Sequence, residues 1–444
     1  MTWQPPSGPL ASGRKCNRGA AASLAGHRLP CVAPGTRAAN WRTAIRIVAT
    51  PRGASKEAAV DFSWSEEHQA FRKEVQAFIR ANWSGGSERG DDEASRNYVK
   101  AMADNGWLTL AWPKEYGGRG ASHFQQLIFM EECSINGVPN GGQGADRVGP
   151  VLMIHGTQKQ KEEHLPKIAR GEVSWCQGFS EPGAGSDLAS LQTRAVRDGD
   201  DFVINGQKIW TSGARHADWI HVLTRTDPQA AKHRGITYFM LNMKTPGINV
   251  RPIQQMHGGA EFNETFFEDV RVPAANIIGE ENRGWYIAAT ALDFERSGIF
   301  RMAGMIGPFN RLAEFAKQPD SAGAGRRIVD TQEHRLKLAD TATEMIVARY
   351  LGYRVTWMQS KGLVPNAESS ISKSFGTELQ QRNARRGVSM LGLYGLLAKG
   401  EPRAPLGGEY GHLYLSTVSA TIAGGTSEVN RNIIATRGLG LPRG

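Results

Sequence analysis

Acidic side chains are missing from the first 56 residues of this 444-residue chain. That stretch carries Arg14, Lys15, Arg18, Arg28, Arg37, Arg42, Arg46, Arg52 and Lys56, which is nine of the ten formal net charges. The rest of the chain is near neutral, so an evenly basic, nucleic-acid-binding surface is excluded. Long hydrophobic runs are lacking too: none approaches the roughly 18 residues that a membrane-spanning helix needs. Cysteine is scarce, and Cys16, Cys31, Cys133 and Cys176 show neither metal-ligand spacing nor a disulfide framework. A reducing compartment is the natural reading. The glycine clusters at 117–120 and 141–144 follow no β-rich run, so they make no dinucleotide fingerprint.

The basic start is rich in Pro, Gly and Ala and has no sustained apolar periodicity, which predicts disorder over residues 1–59. An acid-free, arginine-bearing leader suits an organellar transit peptide and a mitochondrial matrix protein. The plainer alternative is an over-long gene start in a GC-rich bacterium, with Val60 as a misread first codon and a cytoplasmic product.

Past this leader the chain is ordered in pattern and long enough for two to three packed domains. Over 60–173 the periodicity is helical: Ser63 and Glu66 have capping-box spacing, and Phe71, Val75, Phe78 and Ile79 recur at helical intervals. Over 174–282 it is that of strands. D-F-V-I-N-G-Q-K-I-W holds two β-prone runs joined by Asn205-Gly206, a hairpin signal, and runs at 219–224, 236–241 and 266–273 come after it. Over 283–444 long helical stretches return, broken by Gly- and Pro-rich segments at 321–325 and 400–408. The expected fold class is α+β, mostly α, in the order helix, sheet, helix.

Three places carry possible chemistry. F-S-E-P-G-A-G-S-D at 179–187 joins a fixed φ at Pro182 to permissive Gly183 and Gly185, with hydroxyls at Ser180 and Ser186, which suits close approach to a flat ligand. A plain turn explains that composition equally well. T-I-A-G-G-T-S-E-V at 421–429 opens a helix whose free N–H groups suit an anion, or is an ordinary glycine-rich helix start. From 284, Ala288, Leu292, Ile299, Met302 and Ile306 make one helical stripe, and Glu295 falls on it with no Lys or Arg three or four positions away. A carboxylate on an apolar face has a raised pKa, as a general base for a weak carbon acid requires; a structural ion pair with another helix is the alternative.

Four motifs in family order, A-W-P-K-E-Y-G-G at 111–118, F-S-E-P-G-A-G-S-D, K-I-W-T-S-G at 208–213 and F-E-D-V-R-V-P at 267–273, resemble the acyl-CoA dehydrogenase family over residues 61–442. That resemblance implies an N-terminal helical domain, a central β-barrel or sandwich domain and a C-terminal four-helix bundle, with FAD and an acyl-CoA between the last two. It implies that Phe179 and Ser180 contact the flavin, that Ser186 lies near the CoA, that Trp210 packs on the flavin and that Ser212 bonds near its N5. The alternative for Trp210 is a core aromatic. Gly425, Thr426 and Glu428 would touch the FAD of the same or a neighbouring subunit.

The common family signature I-Y-E-G-T-S-E-I carries the catalytic Glu where this chain has Gly424. The isovaleryl-CoA and long-chain branches instead take the base from another helix, in a motif like L-D-x-E-R, and leave Gly or Ala at the usual position. Leu292-Asp293-Phe294-Glu295-Arg296 resembles that motif, so the resemblance implies Glu295 as base and Arg296 as a substrate contact. Glu295 would take the α-proton while the β-hydrogen leaves as hydride to flavin N5, giving a trans-2-enoyl-CoA. The Gly424 N–H would polarise the thioester carbonyl, a role that needs no side chain.

Two motifs depart from the family pattern. The stretch G-A-G-R-R-I-V-D-T-Q-E-H-R lacks the usual R-x-x-F-G, leaving Arg326 or Arg327 as replacements, and L-G-L-Y-G-L-L at 391–397 stands for G-G-x-G-Y/F. The resemblance implies electron-transfer flavoprotein as acceptor and a homodimer or homotetramer. A hetero-oligomer, a catalytically silent subunit and a related flavin oxidase or monooxygenase remain open.

Overall fold

The computed structural model describes residues 64–86, 92–295 and 303–442, and for 291–295 the backbone alone. The basic leader therefore lies outside the described residues. The first helix, α1 (Glu66–Asn82), is capped by Ser65, whose Oγ accepts from the His68 N–H at 3.3 Å. The start thus lies two residues later than the Ser63–Glu66 spacing suggested. Its apolar stripe is as expected, with Phe71, Val75 and Ile79 buried.

Helices α2 (Glu93–Asp104), α3 (His123–Asn136), α4 (Gly149–His155) and α5 (Gln158–Ala169) complete the N-terminal helical part. Ser122 with Gln125 and Thr157 with Gln160 form capping boxes on α3 and α5. Gln160 also donates to the carbonyls of Ala275 (2.8 Å) and Ile277 (2.7 Å), tying α5 to the end of the sheet region.

Seven strands form one curled sheet: β1 (Trp175–Gly178), β2 (Arg194–Asp198), β3 (Asp201–Lys208), β4 (Trp219–Arg225), β5 (Ile236–Asn242), β6 (Ile248–Pro252) and β7 (Asn263–Pro273). Their order is β1-β4-β2-β3-β7-β6, with β5 paired to β4. The hairpin expected at Asn205-Gly206 is not there. The turn lies at Gly199-Asp200, between paired Asp198 and Asp201, and Gly206 is a bulge within β3 where the register against β7 slips. Gly206 has φ of 150°, and a Cβ there would stand 2.7 Å from the Thr193 Cα. The Asn-Gly pair thus serves a close strand crossing rather than a turn.

Strands β1, β4 and β5 are buried on both faces. Cys176, Ile220, Val222, Phe239 and Leu241 belong to one cluster, while Trp175, Phe179, Leu223, Tyr238 and Met240 belong to another that includes the N-terminal helices. Such strands read as continuous apolar runs rather than alternating ones, as 236–241 does.

The C-terminal part comprises α6 (Gly284–Glu295), α7 (Ile306–Lys317), α8 (Gln332–Ser360), α9 (Asn366–Leu391), α10 (Glu409–Ser416) and α11 (Ser427–Ile433). The glycine-rich segments at 321–325 and 400–408 fall between helices, as the pattern indicated. Helices α8 and α9 run antiparallel, joined by pairs such as Glu344 with Arg382 (3.1 Å) and Arg386 (2.5 Å). The stripe from Ala288 to Ile306 is not one continuous helix. Helix α6 is described as far as Glu295 and α7 opens at Ile306, with Gly304 and Met305 in a turn before it, and Ala288 and Ile306 are buried in different clusters.

Helices from both ends of the chain meet at Glu131. Its fully buried carboxylate takes Arg72 of α1 at 2.7 Å, Arg349 of α8 at 2.8 Å and the Tyr353 hydroxyl at 2.9 Å.

Candidate active site

The chain leaves β1 at Gly178 and enters 179–187. Phe179 is buried, its ring edge-on to those of His221 (5.3 Å) and Tyr238 (5.9 Å). Reciprocal backbone bonds between Glu181 and Ala184, 3.1 and 3.0 Å, close a tight turn. Gly183, Gly185 and Ser186 are exposed beyond it, and nothing lies within 4 Å of where a Cβ would sit on either glycine. These glycines are not packed against their own chain, which leaves their backbone open to a ligand.

Lys208, fully buried at the end of β3, donates to Glu181 at 2.8 Å and to the Phe179 carbonyl at 3.2 Å. Glu181 also accepts the N–H groups of Gln192 (2.6 Å) and Thr193 (2.8 Å). Burial pushes the Lys208 ammonium down to about 8, against the opposing pull of Glu181. For Glu181 burial acts upward, but the Lys208 charge and the donated hydrogen bonds hold the acid below its ordinary range. This clamp sets the 179–181 backbone beside 208–212, where the Ile209 N–H donates to the Ser180 carbonyl at 2.9 Å.

Trp210 is the next residue after that contact. It holds φ of 61°, a left-handed conformation costly for a bulky side chain. Its indole is 54% exposed, touching Phe262 edge-on at 5.8 Å, so it is not a core aromatic. Ser212 is exposed beside it and Ser180 is half-buried. Phe179, Ser180, Ser186, Trp210 and Ser212 are thus gathered on connected backbone.

Gly424, Gly425, Thr426 and Glu428 sit on a separate loop at the start of α11. Both glycines are left-handed, with φ of 66° and 85°. The helix opened here has seven residues, and its first donors are already engaged: Thr426 Oγ1 accepts from Val429 at 3.2 Å, and the Glu428 carboxyl is held low by its own backbone N–H and by Thr426. An external anion at this helix start competes with a carboxylate of the chain itself. The residues that grip the loop, Lys373 and Asn430, were not singled out in the sequence. For Lys373 the signal is the S-I-S-K-S-F run, polar residues where a packed helix would usually be apolar.

Glu295 is the last described residue of α6; its side chain and the whole of Arg296 lie outside the described residues. Helix α6 packs against β5, and its Ile287 and Ala288 join Phe179 and Tyr238 in one cluster. It also packs on a π-helical turn at 144–148, a local geometry common at functional sites.

Three family models cover nearly the whole of the described chain. They are the N-terminal, middle and C-terminal domains of acyl-CoA dehydrogenase, at 65–172, 176–270 and 282–439. This chain belongs to the acyl-CoA dehydrogenase family. Acyl-CoA dehydrogenase FadE26 of Mycobacterium tuberculosis (strain ATCC 25618 / H37Rv) is 37% identical over 396 residues, covering 86% of this chain and 98% of that protein. The solved structure of the Tcur3481-Tcur3483 steroid ACAD superposes with a TM-score of 0.79 at 35% identity, over 87% of this chain and 100% of that one. The ChsE4-ChsE5 complex from Mycobacterium tuberculosis gives 0.79 at 37%, with the same coverage.

As an acyl-CoA dehydrogenase the protein is an oxidoreductase acting on CH–CH bonds, and its cofactor is FAD. The residues present fit such a group. Trp210 offers an open aromatic face on a strained backbone, Ser212 is exposed two residues on, and the Ile209–Ser180 bond ties this segment to the loop that carries the open glycines 183 and 185. Curated relatives are bacterial, which gives the mitochondrial reading of the leader no support. Among the described residues no helix is long and apolar enough to cross a membrane.

Proposed function

We propose that the protein carries out α,β-dehydrogenation of an acyl-CoA, with Glu295 as the base that removes the α-proton. The observation that carries this reading is the packing of α6. The helix that carries Glu295 contributes Ile287 and Ala288 to the hydrophobic cluster that holds Phe179, which links the helix of the proposed base to the loop proposed to bind the ring. Gly424, where the usual base would stand, supports it from the other side.

Phe179, Ser180, Trp210 and Ser212 would hold the isoalloxazine, and Gly425, Thr426 and Glu428 another part of the cofactor; Ser186 and Arg296 would contact the acyl-CoA. FAD, when bound, accepts the β-hydrogen as hydride. The Glu295 carboxylate takes the α-proton, and the Gly424 N–H steadies the negative charge that grows on the thioester oxygen. Electron-transfer flavoprotein is the proposed acceptor, and a cytoplasmic protein the proposed location. Similarity to proteins described as steroid dehydrogenases makes a steroid-derived acyl thioester the first substrate to try.

The test is Glu295→Gln beside wild type. The variant should keep FAD and bind acyl-CoA, yet lose flavin bleaching under anaerobic conditions by at least about a thousandfold. Equal bleaching by both proteins would remove Glu295 from the role.

A second reading, an FAD-sharing or silent subunit of a hetero-oligomer, rests on the absent R-x-x-F-G and on the two-component names of the similar structures. Isolated protein without flavin, restored by a co-expressed relative, would favour it.

A further inference from the structure

Helix α9 buries an unusual run of polar side chains: Ser369, Ser370, Ser372, Lys373, Ser374, Thr377 and Asn383. Its polar residues reach the chain between Thr417 and Arg431. Gln381 donates to the carbonyls of Thr417 (3.2 Å) and Val418 (3.3 Å) and to Thr421 Oγ1 (3.1 Å). Glu378 accepts from Ser427 (3.4 Å) and Arg431 (2.6 Å). Two turns before Gln381 on the same face, Lys373 donates from Nζ to the Gly425 carbonyl at 2.6 Å. That carbonyl also accepts from Asn430 Nδ2 at 2.9 Å, which reaches the Thr426 carbonyl at 2.9 Å as well.

Two consecutive left-handed glycines have little conformational preference of their own, so whatever grips them sets where their N–H groups point. Asn430 alone supplies a neutral grip. Lys373 is 6% exposed, and burying an ammonium is costly when a neutral donor could make the same bond. What the ammonium adds is positive charge beside the loop, useful where negative charge develops.

We infer that Lys373 is a positioning residue of the dehydrogenation site. It fixes the Gly424-Gly425 backbone so that the Gly424 N–H meets the thioester carbonyl. Its charge favours the enolate-like oxygen formed as the C–H electron pair moves toward the carbonyl and the proton passes to the base. The inference rests on the function proposed above.

The experiment uses the FAD-loaded full chain as wild type, Lys373→Met and Lys373→Arg, with acetoacetyl-CoA as probe. This small thioester has an acidic α-carbon, and its enolate has its own near-ultraviolet absorption. On wild type its pKa should be depressed; in Lys373→Met it should rise by about one unit, a tenfold loss of enolate stabilisation. Turnover should fall at least about tenfold with KM within about threefold. Amide exchange across 421–429 should quicken, and Lys373→Arg should recover most of each effect.

If Lys373→Met exchanges faster but ionises the probe and turns over as wild type does, Lys373 is a structural pin and the proposal falls. It falls too if wild type does not depress the probe's pKa. Should Lys373→Met not accumulate as folded protein, Lys373→Gln replaces it; enolate stabilisation unchanged there overturns the role of the charge. Wild type that ionises acetoacetyl-CoA but oxidises no acyl-CoA refutes the dehydrogenase reading and leaves Lys373 standing.

Discussion

Gly206 makes a steric prediction. Gly206→Ala should cost about 1–3 kcal/mol, read from urea midpoints, because the new methyl meets Thr193 and β3 must shift. The sequence marked Gly206 as special but for the wrong reason: Asn-Gly is locally a turn signal, and only the crossing with Thr193 turns it into a bulge.

At the scale of elements, the decisive contact is the one through which α1, α3 and α8 share Glu131. Burial raises this acid, and the charges of Arg349 and Arg72 outweigh that and hold it below its ordinary value. A depressed carboxylate stabilises the fold above its unfolded pKa and ceases to do so as pH falls through the folded one. Glu131→Gln should therefore cost about 3–5 kcal/mol at pH 7, because two guanidinium groups lose their buried partner. The difference from wild type should shrink in acid, measured by denaturation at pH 7 and pH 4. No sequence rule foretold this. L-I-F-M-E-E at 127–132 reads as part of a helical segment, and the burial of Glu131 is matched by Arg349, delivered by a segment 218 residues later.

For the whole molecule, the exposed apolar side chains are the informative feature. Leu336, Val347 and Trp357 stand out from α8, and Leu393, Tyr394, Leu396 and Ile422 from the C-terminal segments, 43–84% exposed. Where exposed apolar side chains adjoin one another they mark interfaces. Native mass spectrometry should find assemblies of at least twice the 48.4 kDa chain, and Leu393→Asp with Leu396→Asp should lower that mass or release FAD. A monomeric, flavin-loaded and active wild type would refute the prediction.

By itself the sequence determined the order helix, sheet, helix, the family and hence FAD, because apolar period and short motifs are local properties that each segment carries with it. It also located the strands at 219–224, 236–241 and 266–273 and the helix leading to Glu295. The tertiary structure decided which polar groups are buried and against what. The Glu181–Lys208 clamp, the Glu131 cluster and the grip of Lys373 on Gly425 join residues 27, 218 and 52 positions apart. Desolvation and charge pairing act through space, so their strength appears only when the chain has brought the partners together.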